Sequence, residues 1–218
     1  KQYHTYDRFL ELAHSNKEYT YEEAKELFFH SISQFPQDFQ DKAHEVLRDG
    51  FVDVMEKVGK RTGAYSSSVA NLHPFILLNF DHTLDSVFTV AHEAGHSIHS
   101  MYATQTQPTM LQDYTIFVAE IASTFNEHTL LDYFLSLPDA TKEEKIMVIQ
   151  KAIDEIMSTF YRQTLFAEYE YLANHEVAKG NPINHQVLSQ IMIDLYKKYY
   201  GLDITKEEVK QYVWAYIP

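Results

Sequence analysis

The sequence predicts a mainly α protein with a small antiparallel β element ahead of the helix that carries His92. Three observations lead there. Apolar residues recur at helical spacing through most of the chain. Capping boxes open two of those runs. Between them a glycine-rich polar stretch and a short apolar run break the helical pattern.

Taken in order, Thr20 and Glu23 form the first capping box, and Ala24, Leu27, Phe28 and Ile32 follow on one helix face. Pro36 ends that run. A second amphipathic run covers about 39–57. The stretch 59–68 is small, polar and glycine-rich, and reads as a loop leading into a strand through Val69. Residues 75–80 follow Pro74 as an apolar run that reads as a buried or edge strand. The two runs are expected to pair as a small antiparallel sheet. Helix resumes at about 84–102, then a polar loop at 104–113 leads to a helix at about 114–135. Pro138 and Asp139 break it, and one long helix is expected over 141–179, stopped by Gly180-Asn181-Pro182. Two more helices are expected at 185–199 and 206–217, the second opened by a capping box at Thr205 and Glu208.

A chain of 218 residues suits one domain or one large piece of a bigger one, and 45% hydrophobic residues can build a core. The net charge of −13 argues against nucleic acid and against an anionic membrane surface, which both need a basic face. The apolar runs are far too short to span a bilayer. With no cysteine, any metal must be held by His, Asp or Glu, and the lack of Cys fits a reducing compartment. The N-terminus is no signal peptide. The chain lacks a Met start and stops on Ile217-Pro218, and both ends read as cuts in a longer protein.

His92-Glu93-Ala94-Gly95-His96 is an HExxH motif within a helical segment. Residues four apart sit one above the other on a helix, so both imidazoles can meet one zinc ion. Glu93 lies beside them as a base, not a ligand. With 12 His in the chain, chance alone gives such a motif with a probability of roughly 5%. The third ligand decides the class. The longer HExxHxxGxxH pattern fails, because His99 and Tyr102 stand at its Gly and final His positions. His99 itself lies about 10.5 Å along the axis from His92 at about 1.5 Å per residue. One ion cannot comfortably take all three histidines, so His99 is expected to pack nearby. A Glu from a following helix is the other solution. Glu120 and Glu127, seven apart, share a helix face, and the pattern does not choose between them.

These residues resemble a known family. The HExGHSxHS stretch, the run Phe117 to Glu127, the loop Gly59 to Tyr65, the segment His73 to Phe80, Asp53 and the final Trp214 to Pro218 resemble the oligoendopeptidase F branch of the thimet oligopeptidase family. The resemblance covers nearly the whole chain. It implies zinc held by His92, His96 and Glu120, with Glu93 catalytic and Glu127 orienting a ligand from behind. It implies the helical body of a zincin-type catalytic domain with a small sheet near the metal. Short unfolded peptides are the implied partners, cleaved internally in the cytoplasm, and the sequence assigns no oligomeric state. The strand at 75–80 is expected to bind a peptide backbone along its edge, through Leu77, Leu78 and Asn79. The loop through Gly63, Ala64 and Tyr65 is expected to flex over the substrate.

The family continues past Pro218 with a His- and Tyr-rich segment and carries a long helical N-terminal part. The chain is therefore expected to be residues 1–218 of a single catalytic domain, with the metal site and base present. The alternatives are a zinc- and peptide-binding fragment without turnover, a related zinc carboxypeptidase, and a helical interaction domain with an accidental motif.

Overall fold

The computed structural model describes residues 17–69, 72–207 and 209–216. Among these it holds seven α-helices and one three-stranded sheet. The chain divides into two compact units, one up to Ile149 and one from Gln150.

In the first unit, α1 (Tyr21–Ser31) opens on the expected box: Thr20 Oγ1 accepts from Glu23 N at 3.2 Å, and Glu23 accepts from Thr20 N at 2.7 Å. Its apolar face buries Ala24 and Phe28. Helix α2 (Gln37–Val46) follows Pro36 and is shorter than the expected 39–57. Gly50 turns the chain with φ of 89°, a conformation only glycine adopts cheaply. The alternating Val52-Asp53-Val54-Met55 then forms strand β1 (Val52–Met55), half-buried on every second residue.

Strand β2 (Tyr65–Ser67) pairs antiparallel to β3 (Phe75–Phe80), as expected, with Ser66 opposite Ile76. Strand β1 pairs parallel to the other side of β3. The sheet is thus mixed, in the order β1-β3-β2. This corrects the expected edge strand at 75–80: β3 is central, and the free edges belong to β1 and β2. Ile76, Leu78 and Phe80 point inward from β3.

Helix α3 (Leu84–Thr106) is capped by Thr83, whose Oγ1 accepts from Ser86 N at 3.2 Å. It runs one turn longer than expected, to Thr106. Helix α4 (Ile116–Ser136) packs along it, with Phe88 stacked on Phe134 at 5.8 Å. A further capping box, Thr141 with Glu144, opens α5 (Lys142–Glu155).

In the second unit, a π-helical segment, Ile156–Tyr161, joins the end of α5 to α6 (Arg162–Ala178) without a break, so the long helix expected over 141–179 is present but wound wider at its middle. Helix α7 (His185–Tyr200) is capped by Asn184 and ends on left-handed Gly201. Leu165, Tyr169, Met192, Leu195 and Ile204 form this unit's core, with Trp214 against it. The helix expected at 206–217 is only a 3₁₀ segment, Lys210–Tyr216. Thr205 hydrogen-bonds Asp203 through both its amide and its hydroxyl, at 3.0 and 2.7 Å, which closes a local turn ahead of that segment. Glu208, the other half of the expected box, lies outside the described residues.

Candidate metal centre

His92 and His96 project from consecutive turns of α3, and Glu120 reaches them from α4. Their Nε2 atoms lie 3.1 Å apart, and Glu120 Oε2 lies 3.4 Å from the first and 3.5 Å from the second. Zinc bonds of about 2.0–2.2 Å place the corners of a tetrahedron about 3.3–3.6 Å apart. The three donors therefore already stand close to the separations of one tetrahedral face. No other group of three potential ligand atoms converges in this way among the described residues.

The approach of the two helices depends on Gly95. A Cβ there would stand 2.8 Å from Ala122 O and 2.8 Å from Ser123 Cα, both backbone atoms of α4. Asn126, buried on α4, adds a second tie by donating to Ala91 O at 3.2 Å. Glu120 is itself held: Ser123, fully buried one turn on, donates to its Oε2 at 2.8 Å.

The carboxylate of Glu127 takes the other side of His92, 3.2 Å from Nδ1. An N–H at Nδ1 satisfies that carboxylate and leaves the lone pair of Nε2 facing the donor cluster. Burial works against protonating His92, but the Glu127 hydrogen bond together with the charges of Glu127, Glu93 and Glu120 outweighs it and raises its pKa. His96 moves the other way, lowered by burial and by the neighbouring His92. The two glutamates left open by the sequence are thus separated by geometry: Glu120 joins the donors and Glu127 stands behind one of them.

Glu93 is 5% exposed. Burial lifts its carboxyl to about 7, against the pull of His92. Its Oε2 meets no hydrogen-bond partner among the described residues. A buried carboxylate oxygen without a partner beside three converging ligand atoms is a group awaiting a proton or a polar guest.

His99 is not among the donors. Its ring stacks on Tyr114 at 3.8 Å, and burial lowers its pKa. It lines an apolar cavity of about 340 Å³ between α2, α3 and α4, which contains none of the three donors.

The expected substrate contacts divide. Gly63 and Ala64 lead into β2, where Tyr65 is exposed. Leu77 is half-buried on β3, and Leu78 is 1% exposed. The Asn79 amide is spent on the loop, donating to Arg61 O at 2.9 Å and Gly63 O at 2.8 Å. Lys60 ties the same loop down by donating to Asp53 O and Met55 O at 3.0 and 2.7 Å. The loop expected to flex is thus fastened from two strands. Ser123 and Asn126 escaped sequence reasoning. Only the position of Ser123 one turn after Glu120 offered a signal.

A family model described as Peptidase family M3 matches residues 3–217. Among curated proteins, the chain is 35% identical to Oligopeptidase PepF of Bacillus subtilis over 99% of its own length and 32% of that protein's. It is also 35% identical to the chromosomal Oligoendopeptidase F of Lactococcus lactis subsp. cremoris, over 98% of this chain and 35% of the relative. The chain thus spans about a third of the length of these relatives. A crystal structure of a proposed peptidase from Chlamydophila abortus superposes with a TM-score of 0.82 at 39% identity, over 97% of this chain and 36% of that one.

Proposed function

The chain belongs to peptidase family M3, and from that membership we propose that it is the zinc-binding core of an endopeptidase that hydrolyses short peptides, with Glu93 as general base. The observation that carries this reading is the convergence of His92, His96 and Glu120 within 4.8 Å of one another, beside a buried Glu93. Two imidazoles and one carboxylate are a donor set that suits zinc and leaves a position open.

A zinc ion held there would supply Lewis acidity that activates water and polarises a peptide carbonyl. Glu93 takes the proton of the attacking water and returns it to the leaving amine. A carboxyl poised near neutrality suits both transfers, and a dication beside it favours the ionised, proton-accepting form. Glu127 holds His92 in the tautomer the site needs, and Ser123 holds Glu120.

The names of the relatives, an oligopeptidase and an oligoendopeptidase, support short peptides as substrates. So does the free edge of β2, which offers backbone groups to an extended peptide beside Glu93. On this reading Gly63, Ala64 and Tyr65 border the bound peptide, and β3 with Leu77, Leu78 and Asn79 supports that edge from within the sheet. We place the reaction in the cytoplasm, as the family resemblance implies. Among the described residues no helix is long and apolar enough to cross a membrane.

The test is metal content by mass spectrometry together with digestion of quenched fluorescent peptides and analysis of the products. One zinc per chain with internal cleavage is expected. Release of single C-terminal residues would replace the endopeptidase by a carboxypeptidase, and zinc without cleavage would leave a binding fragment.

A further inference from the structure

Glu120 sits on the least supported stretch of α4. The helix has no buried residue before Ser123, and in its first turn Ile116 and Phe117 are 89% and 87% exposed. Its N-cap, Thr115, makes no side-chain cap bond among the described residues. Neither core packing nor capping therefore fixes where the first two turns of α4 lie against α3. The ties at Gly95 and Asn126 hold only the stretch after Glu120. The stretch before it is held by Tyr114, two positions ahead of α4 in the connection from α3. Its ring stacks on His99, with centroids 3.8 Å apart and planes 13° apart. Its hydroxyl lies 3.0 Å from Oγ of Ser100, which is buried, and 3.5 Å from the carbonyl oxygen of His96. His99 and Ser100 form the turn of α3 that follows His96, so the start of α4 is pinned one turn from that imidazole. Gln112 fastens the same connection, donating to Thr104 O and Gln107 O, both at 3.3 Å.

We propose that Tyr114 is a positioning residue: by locking the start of α4 onto the turn after His96, it sets the distance at which Glu120 meets the two imidazoles. The inference rests on the reading of Glu120 as a metal donor. With the ring and the hydroxyl gone, the first turns of α4 pivot about Ser123 and Asn126. The Glu120 carboxylate is then no longer held at 3.4 and 3.5 Å from the imidazole nitrogens. The Tyr114 hydroxyl is spent on α3, so its effect on the metal passes through Glu120.

The test compares Tyr114→Leu, Tyr114→Phe, Glu120→Ala and the double variant Tyr114→Leu/Glu120→Ala with the parent chain. Zinc affinity is read by competition with a chelator, and hydrogen exchange is read on the metal-free chain. Tyr114→Leu should weaken zinc binding about 10-fold, the scale of losing a group that supports a ligand. Tyr114→Phe keeps the stack and should recover part of that loss. In both, exchange should quicken at the amides of 120–122 and keep the parent's rate at 130–134, the buried end of the same helix. A general loss of stability would quicken both alike. In the Glu120→Ala background, Tyr114→Leu should cost no further affinity, because the two residues act as one unit. Parent-like zinc affinity in Tyr114→Leu, or a loss that persists in full in the Glu120→Ala background, overturns the proposal. Should the leucine variant not fold, Tyr114→Phe decides by its exchange at 120–122: about 5-fold faster for one lost hydrogen bond supports the role, and an unchanged rate overturns it. A Glu120→Ala chain that binds zinc as tightly as the parent instead sinks the reading of Glu120 as a donor, and the positioning role falls with it.

Discussion

Glu127 stands 3.2 Å from Nδ1 of His92, on the nitrogen that faces away from the three converging donors. The pair explains why two glutamates seven apart on α4 do different work. On the proposed reading Glu120 completes the donor set, and Glu127 fixes the tautomer and angle of the first imidazole. Removing such a support typically weakens metal binding by about 10–100-fold. Glu127→Ala should lower zinc affinity by that factor, read by competition with a chelator. Unchanged affinity would show that His92 needs no support from behind.

Gly95 gives a prediction whose sign is informative. In an exposed helix, Gly→Ala stabilises by about 1 kcal/mol. Here the new Cβ would press on Ala122 and Ser123 backbone at 2.8 Å. Neither helix backbone yields as a side chain would, so overpacking costs of about 1–3 kcal/mol should outweigh the helix gain. Gly95→Ala should lower the melting temperature and, by pushing α4 outward with Glu120, weaken zinc binding. A higher melting temperature would mean that the helices are not so closely apposed.

The Glu93 carboxyl sets a pH dependence in the metal-stripped chain. Its pKa is raised from 4.5 to about 7 on folding, so the folded state binds this proton more tightly than the unfolded state. The group's favourable contribution is complete below pH 4.5 and is lost as pH rises through 7. With about 1.4 kcal/mol per unit, the loss is on the order of 3 kcal/mol. Glu93→Gln should abolish that decline, so the variant gains stability relative to the parent at pH 8 but not at pH 4. Denaturant titrations at both values measure it, and parallel pH profiles would contradict it.

What the sequence made legible was what short-range physics determines. The Thr20–Glu23 box, the stop at Pro36, the helix carrying His92 and His96, and the antiparallel pairing of the runs around Ser66 and Ile76 all follow from neighbours in sequence. Strand β1 did not, because its partner β3 lies across a parallel crossover, and Val52 to Met55 fell inside the amphipathic run read as one helix over about 39–57. That hidden strand also turned β3 from an edge into the centre of the sheet and moved the free edge to β2. The last helix is a 3₁₀ segment where an α-helix was expected, and the Asp203–Thr205 turn just before it comes from side-chain chemistry that helical spacing does not register. At the site, His92, Glu93 and His96 are readable from one turn-spacing. Ser100 and Tyr114 are not, since their contact joins residues 14 apart whose types carry no signal of their own.

Glu93 is where the account stands or falls. The most direct measurement is cleavage of a quenched fluorescent peptide by Glu93→Gln beside the parent chain, with zinc content determined on both. The account predicts about one zinc in each and a loss of cleavage of at least about 100-fold in the variant, the scale of a lost general base. A variant that keeps its zinc and cleaves at the parent's rate would contradict it.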